Sequence, residues 1–134
     1  MAELVLIEDT STLTEIFDNY IFNIDSDIKY FSTCNANNQK KLSSHILSCC
    51  NKKQHGDILL GNKSHVFISK LRIPDECSNK GKRSGYRCII LVDLDEAIIF
   101  LLHLYSKSKK KNLDKKEEKN LERLLSEYLD NKGE

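Results

Sequence analysis

The sequence predicts an α+β domain, a small twisted antiparallel sheet with two helices ahead of it and one behind, in the order β-α-α-β-β-β-α. Three observations predict it. Apolar residues recur at helical spacing in the N-terminal half, first at Leu13, Ile16, Phe17, Tyr20 and Ile21, then at Leu42, His45, Ile46 and Cys49. From His65 onward the spacing switches to period two. Near the C-terminus, Asp114 and Glu117 form a capping box ahead of a stripe of Leu121, Leu124, Leu125, Tyr128 and Leu129.

Taken in order, "ELVLIED" is short and weakly alternating, a first strand over residues 3–8. Asp9, Thr10 or Ser11 can cap the helix that follows. The stretch "NIDSDIKYFSTCNANN", residues 23–38, surrounds a small apolar knot of Ile28, Tyr30 and Phe31 with turn-forming residues and reads as a loop or short helix. A second helix spans Gln39 to Cys50 and ends before the turn-like "NKKQHGD". In "HVFISKLRI", Phe67, Ser69, Leu71 and Ile73 face one way and Ile68, Lys70 and Arg72 the other, until Pro74 ends the strand because it cannot donate to a ladder. Beyond the loop "DECSNKGKRSG", the strands "YRCIILVD" and "AIIFLLHLYSK" meet at the acidic turn Asp93-Leu94-Asp95-Glu96. Both are apolar almost throughout, so the sheet is expected to be covered on both faces. The last helix runs from Asp114 to Asn131.

A chain of 134 residues fits one domain, residues 1–134. Charged residues make up 31% and hydrophobic residues 40%, the balance of a folded, soluble protein. No apolar run approaches the roughly 18 residues of a membrane span, and the first residues carry acid where a signal peptide carries base, so a cytoplasmic protein without membrane partners is expected. The five cysteines are odd in number and irregularly spaced, which argues for reduced thiols. The net charge of +1 conceals a division along the chain. Residues 1–30 carry seven acids against Lys29 alone, whereas residues 63–111 carry eleven bases against five acids. A concentrated basic surface on a nearly neutral chain favours a polyanionic partner.

Strand parity gives that charge a shape. Lys70 and Arg72 share a face on one strand, Arg87 shares one with Ile89 and Leu91 on the next, and His103, Tyr105 and Lys107 share one on the last. If the three faces coincide, one side of the sheet gathers cations beside an aromatic hydroxyl. Guanidinium groups match phosphate bidentately and an aromatic ring can stack a splayed base, which suits single-stranded RNA.

The segments "KLRI", "GKRSGYRCIILVD" and "EAIIFLLHLYSKSKKKNLDKKEEKNLERLLSEYL" resemble, in their order and spacing, the RelE/ParE superfamily of toxins from type II toxin-antitoxin systems, closest to the HigB-like branch. The resemblance covers residues 67–129 and departs from the family at Ser84-Gly85, where a Gly-Gly pair is usual, and at residues 22–38, which read as an insertion. It implies a RelE-like fold and an endoribonuclease that cleaves mRNA, usually on the ribosome, held inactive by a cognate antitoxin of helix-turn-helix type. It implies no metal or other cofactor. Transferred position by position, it makes Lys70, Arg72, Arg87, Tyr105 and Lys107 the catalytic set: Arg72 and Arg87 to clamp the phosphate, Lys70 or Lys107 as base, Tyr105 to stack or donate a proton. Lys82, Arg83, Lys109, Lys110 and Lys111 would bind RNA backbone.

Blander readings stand beside these. Alternating Lys and Arg on a strand are commonly just a solvated face, and a sheet histidine such as His103 is as readily hydrogen-bonded as catalytic. The cluster His45, Cys49, Cys50 and His55 invites a zinc reading, but its spacing is no known ligand set and a buried helix face accounts for it better. Two other functions fit the same resemblance: a ParE-like DNA gyrase inhibitor, and an inactive RNA- or protein-binding relic of the fold.

Overall fold

The computed structural model describes residues 3–32, 38–61, 65–74 and 85–132, with the side chains of Asn38 and Gln39 left aside. Strand β1 (Val5–Ile7) leads into helix α1 (Thr10–Ile16). Asp9 caps that helix, its carboxylate accepting from the Thr12 amide at 2.8 Å and the Thr12 hydroxyl at 2.7 Å, and these bonds hold its carboxyl below the usual range. The helix stops at Ile16, sooner than its stripe predicts, and leaves Tyr20 outside and Ile21 exposed. Helix α2 (Ile24–Ser32) follows, then α3 (Asn38–Asn51). The edge strand β2 (Asp57–Leu60) precedes β3 (Val66–Ile73), β4 (Tyr86–Asp93) and β5 (Ile98–Ser106), and α4 (Lys115–Asn131) closes the chain with the predicted Asp114–Glu117 capping box.

The α+β class stands, with two additions and one change of direction. Helix α2 decides the loop-or-short-helix reading for a helix, because Ile24, Ile28 and Phe31, at helical spacing, are all buried. Strand β2 extends the sheet at the edge, where Gly56, at φ +79°, brings the chain so close to Lys70 that an added Cβ would lie 2.3 Å from its carbonyl oxygen. The strand order is β1-β5-β4-β3-β2, and the sheet is mixed rather than antiparallel, because β1 runs parallel to β5 while the other pairs are antiparallel.

Every residue of β4 is buried, as expected of a central strand covered on both sides. On one side lie α2 and α3, with Phe31 edge-on to Tyr86 at 4.7 Å. The buried face of α3 carries Leu42, Ile46 and Cys50, one residue round from the predicted His45 and Cys49, which are only half-buried. On the other side α4 crosses the sheet. Its Tyr128 hydroxyl donates to Asp93 at 2.5 Å and its Tyr128 ring meets Phe100 at 5.3 Å. Strand β5 holds a bulge at Leu102, between the pairs Ile89–His103 and Ile90–Leu101. The Leu102 carbonyl is satisfied by the Tyr20 hydroxyl at 2.7 Å. Among the described residues, no helix is long and apolar enough to cross a membrane.

Candidate active site

Cross-strand partners in an antiparallel ladder point to the same side, so the register decides which side chains meet. Arg72 pairs with Arg87 and Arg87 with Tyr105, which sets the three in one row across β3, β4 and β5. The next row is Lys70, Ile89 and His103. The bulge at Leu102 would reverse the parity of β5, but His103, Tyr105 and Lys107 all lie on its C-terminal side and stay in phase with Arg87. Lys107, just past the end of β5, is tied down by its amide bond to the Gly85 carbonyl at 2.9 Å. The five residues expected to be catalytic therefore share one end of one sheet face, and α4 covers the other end of that face.

Their environments differ. Arg87 is only 3% exposed, and its Nη1 donates to the Tyr86 carbonyl at 3.2 Å. Burial, then the neighbouring Arg72, draws its guanidinium below the usual range, and Tyr105 and Asp57 oppose that. Arg72 is 54% exposed and lies 3.9 Å from the Asp57 carboxylate on β2, a pair open to solvent and therefore weak. Lys107 is exposed, and its amine is pulled below the ordinary lysine range chiefly by Arg87, with desolvation, Arg72 and Lys70 adding to the shift. Burial raises the Tyr105 hydroxyl; Arg87 opposes this and Glu117 adds to it. A tyrosine so placed keeps its proton at neutral pH, while the amine beside it gives its proton up more easily than a free lysine.

A cleft of about 510 Å³ opens beside this row, between β2 and the start of α4. Lys70 and Tyr105 line it, with Leu59, Leu60, Leu113 and Leu121 as apolar walls and Glu118 and Glu122 at the rim. Three lysines beyond β5 take separate courses. Lys109 sits 4.3 Å over the Tyr30 ring, Lys110 is ion-paired with Glu117 and lies 5.8 Å over the Tyr105 ring, and Lys111 is exposed. Lys82 and Arg83 lie outside the described residues.

Sequence reasoning missed two carboxylates at this site. Asp27, from α2, accepts from His103 Nδ1 at 2.7 Å and from the Leu104 amide at 3.1 Å. Glu117, from the first turn of α4, places Oε2 3.7 Å from His103 Nε2. The ring of His103 is stacked on Phe22 at 4.4 Å, which makes the histidine an anchored part of the sheet. The capping box flagged Glu117 as a helix start, and nothing in the sequence tied Asp27 to a histidine 76 positions away. At the cluster once weighed for zinc, Cys49 Sγ lies 3.6 Å from His45 Nε2, while Cys50 turns into the core, where burial pushes its thiol up to about 12. Among the described residues, no three His, Cys, Asp or Glu side chains are grouped to hold a metal ion.

Comparison with known proteins places the chain. No curated protein and no solved structure matches it. A family model described as the RelE toxin of the RelE/RelB toxin-antitoxin system matches residues 29–134, from α2 to the end of the chain. Members are generally mRNA-cleaving ribonucleases kept in check by a cognate antitoxin. With a match that spans most of its length and a sheet-and-helix architecture compatible with the RelE-like fold, the chain belongs to the RelE toxin family, the toxin side of a toxin-antitoxin pair.

Proposed function

We propose that this toxin cleaves mRNA in the ribosomal decoding site, with Lys70, Arg72, Arg87, Tyr105 and Lys107 as its catalytic set. The observation that carries the reading is the row Arg72–Arg87–Tyr105, three cross-strand partners beside an open cleft. Arg87 and Arg72 grip the scissile phosphate, with Arg87 held rigidly by burial and Arg72 free to close on the RNA. The 2′-hydroxyl of the preceding ribose attacks phosphorus. Lys107, whose amine its cationic neighbours depress, takes the 2′ proton, and Tyr105 donates its own to the departing 5′-oxygen. The bond from phosphorus to the 5′-oxygen breaks as that to the 2′-oxygen forms, which leaves a 2′,3′-cyclic phosphate and a 5′-hydroxyl. Negative charge building on the phosphorane is met by the two guanidinium groups and Lys70. The partners follow from this reading: mRNA, the ribosome that presents it, and an antitoxin of the helix-turn-helix type that accompanies HigB-like toxins.

The test is a translation extract given wild-type protein or Arg87→Ala. Wild type should cut mRNA during translation, and the variant should cut on the order of 100-fold more slowly. Full cleavage by Arg87→Ala would remove this residue set, and cleavage of naked RNA at the same rate would remove the ribosome from the reading. Stalled DNA supercoiling with intact mRNA would favour gyrase as the target, and neither effect would favour a binding relic.

A further inference from the structure

Tyr105 is flanked on two sides, and the flanking groups are joined to one another. His103 lies 5.5 Å from its ring on β5, and Lys110 lies 5.8 Å over it from the segment after β5. Glu117 reaches both: one carboxylate oxygen pairs with Lys110 and accepts from the Asp114 amide at 2.9 Å, while the other faces His103 Nε2 at 3.7 Å. At the far side, Asp27 fixes the imidazole through Nδ1, which must carry a proton because a carboxylate only accepts. The side chains of His103 and Glu117 are each 12% exposed, so these contacts are made away from bulk water, where screening is weak. Phe22 and Asp27 both lie ahead of residue 29, where the family match begins, so the anchor comes from the part of the chain that the family pattern does not describe.

From this we infer that Asp27, His103, Glu117 and Lys110 form a clamp that positions Tyr105 in the cleft, with α2 as its fixed end. The clamp rests on the reading of Tyr105 as a group that acts on RNA. Asp27 and His103 touch no RNA in this scheme. They act as positioning residues, and their removal should slow the chemical step without loosening substrate binding.

Two variants test it, Asp27→Asn and His103→Gln, each first checked for an intact amide spectrum. In the translation extract kcat should fall about tenfold while KM stays within about twofold. With ring-labelled tyrosine, the Tyr105 resonances, assigned through Tyr105→Phe, should shift or narrow as the ring gains freedom. An unmoved Tyr105 signal in both variants overturns the clamp whatever the rates do, and so does a moved signal with full kcat. If the wild type cuts no RNA, the functional reading has failed, and the ring resonances alone decide whether the clamp exists.

Discussion

At the scale of single residues, charge crowding shifts how a basic patch holds its protons. A lysine serves as a base only in its neutral form, so cleavage limited by Lys107 should rise with pH and level off as the amine loses its proton. Because Arg87, Arg72 and Lys70 favour the neutral form, that rising limb should be centred below the ordinary lysine value of about 10.4. Removing a neighbouring charge lessens the shift. Arg72→Gln should move the limb to higher pH, and Lys107→Ala should abolish it, as read from single-turnover rates across a pH series. Burial raises the Tyr105 hydroxyl, so any downturn from loss of its proton should come above the usual tyrosine value.

The behaviour of whole elements depends on how α4 is fastened. Asp93 is fully buried and accepts from Tyr128, from Lys132 Nζ at 2.8 Å and from the Glu96 amide at 3.1 Å. Burial by itself would raise its carboxyl, but the bonds from Lys132, Tyr128 and Glu96 outweigh it and hold the group low. A carboxyl depressed on folding stabilises fully above its unfolded value of about 4 and loses that contribution as pH falls through the lower folded value. Asp93→Ala, which takes the buried carboxylate from Tyr128 and Lys132 and leaves Lys132 with Asp95 at 3.9 Å, should cost on the order of 3 kcal/mol in urea unfolding at neutral pH, with the deficit shrinking in acid. The elements also show what could be read in advance. Strands β3 to β5, and which of Lys70, Arg72, Arg87 and Tyr105 share a face within each strand, were legible because period two fixes facing inside a strand, whereas the coincidence of the three faces could only be supposed until the register was known. Helix α2 was legible only as one of two readings, loop or short helix, since Asp25, Ser26 and Asp27 mask the spacing of Ile24, Ile28 and Phe31 with turn-forming residues. Strand β2 is four residues long, too short for a periodic signal. The Asp27–His103 contact spans 76 residues and exists only once α2 has docked on β5.

For the molecule as a whole, the basic surface predicts how tightly the toxin holds RNA as salt is raised. Each exposed lysine that contacts a phosphate steepens the logarithmic fall of affinity with salt by somewhat less than one, so Lys111→Ala should flatten the slope by about that amount. Lys110→Ala should flatten it less, because Glu117 already neutralises that charge. Filter binding at several ionic strengths separates the two. The pairing of Val5 with Ile98 has a further effect, on when this protein completes its sheet. Strand β1 must wait for β5, made about 90 residues later, to leave the ribosome before that sheet edge can zip. Asp27, too, finds His103 only after the same delay. The fold of a nascent chain therefore stays open along this edge until β5 has emerged, an interval in which a restraining partner can already be at hand.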